Sequence, residues 1–132
     1  MSFETTAIYA GLMILWSLAL TVAVIRQRRA LRVSLGDGGH DDLARIVRAH
    51  GNAAETVPLA LIGLALAEAM GTPGWILHLL GLGLVAGRVL HGLHFLQGRR
   101  DATWRIAGMG LTLTVLGILG IGLLAHGLAD LA

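Results

Sequence analysis

Two arginines, an amide and a carboxylate recur at helical spacing in Arg45-Ile-Val-Arg-Ala-His-Gly-Asn-Ala-Ala-Glu-Thr-Val-Pro58, and an apolar run continues from Val57 to Ala67. At about 100° per residue, Arg45, Arg48, Asn52 and Glu55 share a stripe roughly 80° wide and about 15 Å long. Ionisable groups entering a hydrocarbon layer are costly and usually face a bundle interior or a water-filled cavity. Long arginines can snorkel to the headgroups. A short carboxylate about three turns inside cannot, so the stripe reads as a polar site and Glu55 as its most telling member.

A second stripe carries Arg88, His91 and Phe95. On helices of the expected length, Glu55 lies about 18 Å and Arg88 about 14 Å below the same membrane face. An acid and a base at similar depth invite pairing, as a structural clamp or as a ligand-binding pair. The histidines do not assemble into a haem or metal site. His50 is on the opposite face of its helix from Asn52, His126 is near the other membrane face, and His91 with His94 lacks a third ligand. Among the serines, neither Ser17 nor Ser34 has a Ser/His/Asp setting, and no nucleotide-binding or metalloprotease pattern occurs.

These residues must be positioned by membrane helices. Of the 132 residues, 55% are hydrophobic and only 14% charged, and the mean hydropathy is +0.75; a soluble protein carries about a quarter charged residues. Length fits one domain, residues 1–132. With no cysteine, disulfides, thiolate metal sites and cysteine nucleophiles are excluded, so any thiol chemistry needs a thiol brought by a ligand.

Thr5 to Ile25 is uncharged and about long enough to cross a bilayer, and reads as a retained span. Arg26, Arg28, Arg29 and Arg32 end it. A Gly- and Asp-rich turn from Ser34 to Asp42 follows, in which Asp41 or Asp42 can cap a helix starting near Leu43 and running to about Met70. The Gly71–Gly74 turn makes the next span, Trp75 to Gln97, an antiparallel neighbour. A fourth span runs from Trp104 to about Ala129, with Thr103 as its potential cap and Arg105 in its first turn. Gly83 and Gly87, and Gly108, Gly110, Gly117, Gly120 and Gly122, allow close helix contact.

All ten basic residues are arginine. They lie on the first and third connections or on helix ends facing them, with Arg88 deeper. The positive-inside rule puts those connections in the cytoplasm and both termini outside. A small multidrug transporter would suit the length, but its essential acid lies in the first helix, where this chain has none.

Arg48-Ala-His-Gly-Asn-Ala-Ala-Glu-Thr-Val-Pro58 resembles the signature of the MAPEG family, membrane-associated proteins in eicosanoid and glutathione metabolism. The resemblance covers essentially the whole chain. The first helix ends in Arg26-Gln-Arg-Arg29, Ser34-Leu-Gly-Asp-Gly-Gly39 is similar to the loop of bacterial members, and Arg88-Val-Leu-His91 recurs in the third helix. It implies an all-α membrane protein, a homotrimer of four-transmembrane-helix protomers in a bacterial inner membrane, with glutathione bound between subunits near the cytoplasmic face.

The family's glutathione contacts match Arg26, Arg48, Asn52 and Glu55, with His50 and Arg88 nearby, and its thiol-activating arginine matches Arg105. The implied activity is a glutathione transferase or peroxidase acting on lipophilic electrophiles that arrive through the bilayer. Thr56 and Phe95 stand where many members carry tyrosines, and the one tyrosine, Tyr9, is near the far membrane face. Those hydroxyls are therefore absent, which keeps open a non-catalytic lipid-binding or scaffold protein on the same fold.

Overall fold

The computed structural model describes residues 3–98, 101–129 and 131. Arg99 and Arg100, part of the arginine-rich third connection, lie outside the described residues. The chain forms four helices in sequence order: α1 (Glu4–Leu31), α2 (Asp41–Ala69), α3 (Gly74–Leu96) and α4 (Thr103–Ala129). Among the described residues there is no strand. Short connections make consecutive helices antiparallel, so the ends of α1 and α3 meet the starts of α2 and α4 at one face.

Helix boundaries depart from the sequence expectation at the charged ends. α1 continues to Leu31, because arginine is a good helix former and its side chain can reach the headgroup layer from inside a helix. The helix stops where Arg32 turns left-handed (φ 57°) and its N–H returns to the carbonyls of Arg28 and Arg29. α2 starts at Asp41, after His40, without a side-chain cap. Asp41 and Asp42 sit inside the first turn, where they complement the helix dipole instead of capping it. Thr103, likewise, is the first residue of α4 rather than a residue outside it.

Three helices, α1, α3 and α4, are long and apolar enough to cross a membrane. α2 has 29 residues, about 43 Å, but the Arg45–Glu55 stripe dilutes its apolar character. Its place in the bundle explains how such a helix is accommodated. α2 packs against α1, α3 and α4, as α3 packs against α1, α2 and α4, while α1 and α4 do not touch. The two central helices thus form one diagonal. The outer helices leave wide apolar faces uncovered, including Ile14, Leu15 and Leu18 on α1 and Ile118, Ile121 and Leu124 on α4.

One acidic side chain closes the face opposite the arginines. The Glu68 carboxylate, near the end of α2, accepts the Thr5 and Thr6 backbone N–H groups at 2.9 and 2.8 Å. Phe3 gives α1 no side-chain cap, so Glu68 satisfies its orphan donors from another helix. Nearby, the buried Tyr9 hydroxyl meets Nδ1 of His78 at 2.9 Å and donates to its carbonyl at 3.1 Å. The Tyr9 ring fills the space that a side chain at Gly81 would need.

Glycine sets the α3–α4 distance near the other face. A Cβ on Gly108 would lie 2.5 Å from the Gly87 carbonyl oxygen and 2.6 Å from the His91 backbone nitrogen; one on Gly87 would lie 2.8 Å from the Gly108 carbonyl oxygen. Those contacts involve backbone, which cannot swing aside. Gly117, Gly120 and Gly122 meet nothing within 4 Å, so only part of the glycine pattern makes this crossing. Gly108→Ala should lower stability by about 1–3 kcal/mol, the usual cost of overpacking, whereas Gly127→Ala, in open space, should be neutral within about 0.5 kcal/mol. Denaturant unfolding of the purified protein in detergent checks the contrast.

Candidate functional site

A cleft of about 540 Å³ opens between α2, α3 and α4 near the arginine-rich face. α2 contributes Arg48 and Asn52, α3 contributes His91 and Phe95, and α4 contributes Arg105 and Met109, with Leu113 deeper. The sequence separates these residues by more than sixty positions, and the up-and-down bundle brings them together. Its volume lies within the usual range for small-molecule sites. His91 is buried, with its ring 5.1 Å from that of Phe95. His94 also packs edge-on against Phe95, and its Nδ1 is buried with no hydrogen-bond partner among the described residues.

Behind the cleft lies Arg88, only 1% exposed. Its Nε donates to Thr112 Oγ1 at 2.9 Å, and one terminal nitrogen donates to Asn52 Oδ1 at 2.6 Å and Thr56 Oγ1 at 3.1 Å. The other terminal nitrogen faces Met109 Sδ at 3.7 Å, a weak acceptor. Both threonine hydroxyls are spent on their own helices: Thr56 donates to the Asn52 carbonyl at 2.8 Å and Thr112 to the Gly108 carbonyl at 2.9 Å. Each therefore turns only lone pairs toward the guanidinium. No carboxylate pairs with Arg88 among the described residues, so its charge is dispersed over neutral acceptors and is not cancelled.

The anticipated Glu55–Arg88 pair does not form within a protomer. Glu55 is exposed and, among the described residues, has no hydrogen bond or ion pair. It lies about 21 Å along α2 from Asp41 and about 60° round the helix from Asn52, on an exposed strip beside the Arg88 contact and not in it. His50 also faces elsewhere: its Nε2 meets Thr21 Oγ1 on α1 at 3.0 Å, and Thr21 in turn donates to the Ser17 carbonyl at 2.9 Å. Arg26 is exposed on α1 and lies outside this cleft. The single protomer thus unites Arg48, Asn52 and Arg105, holds Arg88 behind Asn52, and leaves Arg26, His50 and Glu55 apart from them.

Thr112 is the part of the site that the sequence does not single out, whereas the Gly87–Gly108 crossing realises the close contact expected from two of its glycines. A threonine four residues after a glycine, bonding back to the i−4 carbonyl, is the local signal that marks such an acceptor. Chemically, the cleft offers guanidinium and amide donors beside an apolar wall, which suits an anionic ligand with an oily partner. Among the described residues, no group of three His, Asp or Glu side chains could hold a metal ion.

A four-helix membrane bundle with a cationic cleft at one end defines the class. The chain belongs to the MAPEG family, whose sequence pattern matches residues 6–125. Among its relatives, inner membrane protein YecN of Escherichia coli strain K12 is 38% identical over 109 residues, covering 81% of this chain and 80% of that protein. Inner membrane protein YecN of Escherichia coli O6:H1 matches with the same figures.

If Thr112 serves as the acceptor for Arg88, Thr112→Val should strand a buried guanidinium N–H and cost about 1–3 kcal/mol. Thr112→Ser, which keeps the oxygen, should recover most of that loss. Unfolding free energies of the two variants measure the difference, and equal losses would mean that packing of the methyl group matters instead.

Proposed function

We propose that the chain is a membrane-embedded glutathione-dependent transferase or peroxidase acting on lipophilic electrophiles. The observation that carries this reading is the cleft itself. Arg48, Arg105 and the Asn52 amide line a space that Phe95, Ile106, Met109 and Leu113 line as well. Guanidinium forks suit the two carboxylates of glutathione, and the apolar lining suits an electrophile arriving from the bilayer. Glutathione supplies the thiol that a chain without cysteine lacks.

The remaining family-matched residues fit this reading through a neighbouring copy. Glu55 is a carboxylate on the outer face of α2, level with hydrocarbon, where an isolated charge is costly. A homotrimer would cover it and bring Arg26 of one protomer toward the cleft of the next. Glu55 then meets the ammonium group of glutathione, and His50 and Arg88 support the α2 wall from behind. The inner membrane named for the relatives, with arginine-rich connections in the cytoplasm and both termini outside, gives glutathione access from the cytoplasmic side.

Arg105 is the residue placed to hold the sulfur. A thiol of pKa about 8.5 is only a few per cent ionised at pH 7, and lowering that value by about two units takes about 2.7 kcal/mol. A guanidinium in the first turn of α4 adds its charge to the positive end of the helix dipole. It cannot itself accept the proton near neutral pH. A non-catalytic lipid-binding or scaffold role is the second reading, and Phe95 favours it, because that position presents no hydroxyl to the cleft.

Conjugation of a generic aromatic electrophile by the purified protein separates the two. Arg105→Ala should keep glutathione binding, lose the thiolate ultraviolet absorbance at pH 7 and lose turnover, with partial recovery at pH 9. Arg48→Ala should instead weaken binding, by about tenfold or more. Full thiolate signal and full turnover in Arg105→Ala would remove the assignment, and glutathione binding without conjugation in the unsubstituted protein would favour the scaffold.

A further inference from the structure

We infer that Arg88 is a positioning residue: it fixes the Asn52 carboxamide so that the cleft receives only N–H donors from it, aimed at a carboxylate of glutathione. This rests on the glutathione reading above and adds a part that the family match does not supply. A guanidinium has five N–H donors and no acceptor. The atom of Asn52 lying 2.6 Å from the Arg88 nitrogen must therefore be the amide oxygen, and the orientation follows from chemistry. With that oxygen held against Arg88, the Nδ2 group is what Asn52 has left for the cleft it lines.

An unrestrained asparagine has no such polarity. Its amide can turn over, presenting an oxygen to cations and a nitrogen to anions with little preference. Arg88 removes the choice, and it is itself held in place on two further sides. Thr112 and Thr56 accept from it while their hydroxyl protons are committed to the Gly108 and Asn52 carbonyls. The guanidinium is 1% exposed and does not line the cleft, so its effect on a ligand passes through Asn52. Because no carboxylate among the described residues neutralises Arg88, its charge polarises the amide and strengthens the outward N–H groups. The arrangement favours an anion and disfavours a ligand group that donates.

Asn52→Asp separates this role from a purely structural one. The substitution keeps the shape and gives Arg88 a charged acceptor, but it leaves the cleft a carboxylate with no donor. Measured on the full chain in detergent, the melting temperature should hold or rise while calorimetric glutathione affinity falls about 10–100-fold, the range of a charged hydrogen bond. Arg88→Lys, which keeps a donor for the amide oxygen, should retain more affinity than Arg88→Gln, although both lose stability.

A stable Asn52→Asp protein that binds glutathione as tightly as the unsubstituted one would overturn the inference and leave the glutathione reading standing. A marked loss of stability in Asn52→Asp would also overturn it, because the new carboxylate would then not be meeting Arg88. Absence of glutathione binding in the unsubstituted protein would remove both readings together.

Discussion

The bundle is arranged around a buried cation that meets no acid among the described residues. Arg88 sits in the middle of α3, surrounded by α2 and α4, and its hydrogen bonds end on an amide, two hydroxyls and a thioether. Burying a charge is expensive unless its hydrogen-bonding capacity is met. The protein meets much of that capacity while leaving the charge itself in place. This combination ties three helices together at one level and gives the adjoining cleft a permanent positive potential.

The rest of the packing serves that level. Gly87 and Gly108 let α3 and α4 approach until backbone meets backbone, which brings Thr112 within reach of the Arg88 Nε. At the opposite face, Glu68 caps α1 from the end of α2, and Tyr9 ties α1 to His78 on α3. That end of the α1–α2–α3 contact is therefore pinned by polar groups, and toward the arginine-rich face His50 on α2 meets Thr21 on α1. The uncovered sides of α1 and α4 are apolar along most of their length, as expected for surfaces that meet lipid or another copy of the chain.

Much of this was legible in the sequence. The four helices follow from apolar length and from the connections that interrupt it, and the Arg48–Asn52–Glu55 spacing identified the helix that carries the cleft. α2 packs against all three other helices, which offsets its less apolar composition, yet most of the stripe stays uncovered within the protomer: Arg45, Arg48 and Glu55 are exposed and Asn52 is half-buried. A direct Glu55–Arg88 pair does not form within the protomer for a geometric reason: equal depth does not imply facing sides, and Asn52, three positions before Glu55, points to Arg88 instead. Thr56 stands out only as the loss of a family tyrosine until its hydroxyl is seen accepting from Arg88. Contacts such as Glu68 with Thr5 and Thr6 join residues more than sixty positions apart, and no local pattern announces them.

On the proposed function, the cleft holds glutathione through its negative charges. Calorimetric titration of the detergent-solubilised protein with glutathione, set beside the same titration with glutathione dimethyl ester, tests it most directly. The ester keeps the thiol and the backbone and removes both carboxylate charges. Saturable binding of glutathione with loss of most affinity for the ester is the result that a cationic cleft built from Arg48, Arg105 and a donor-oriented Asn52 requires. Equal affinity for the two ligands, or no heat from either, would contradict it.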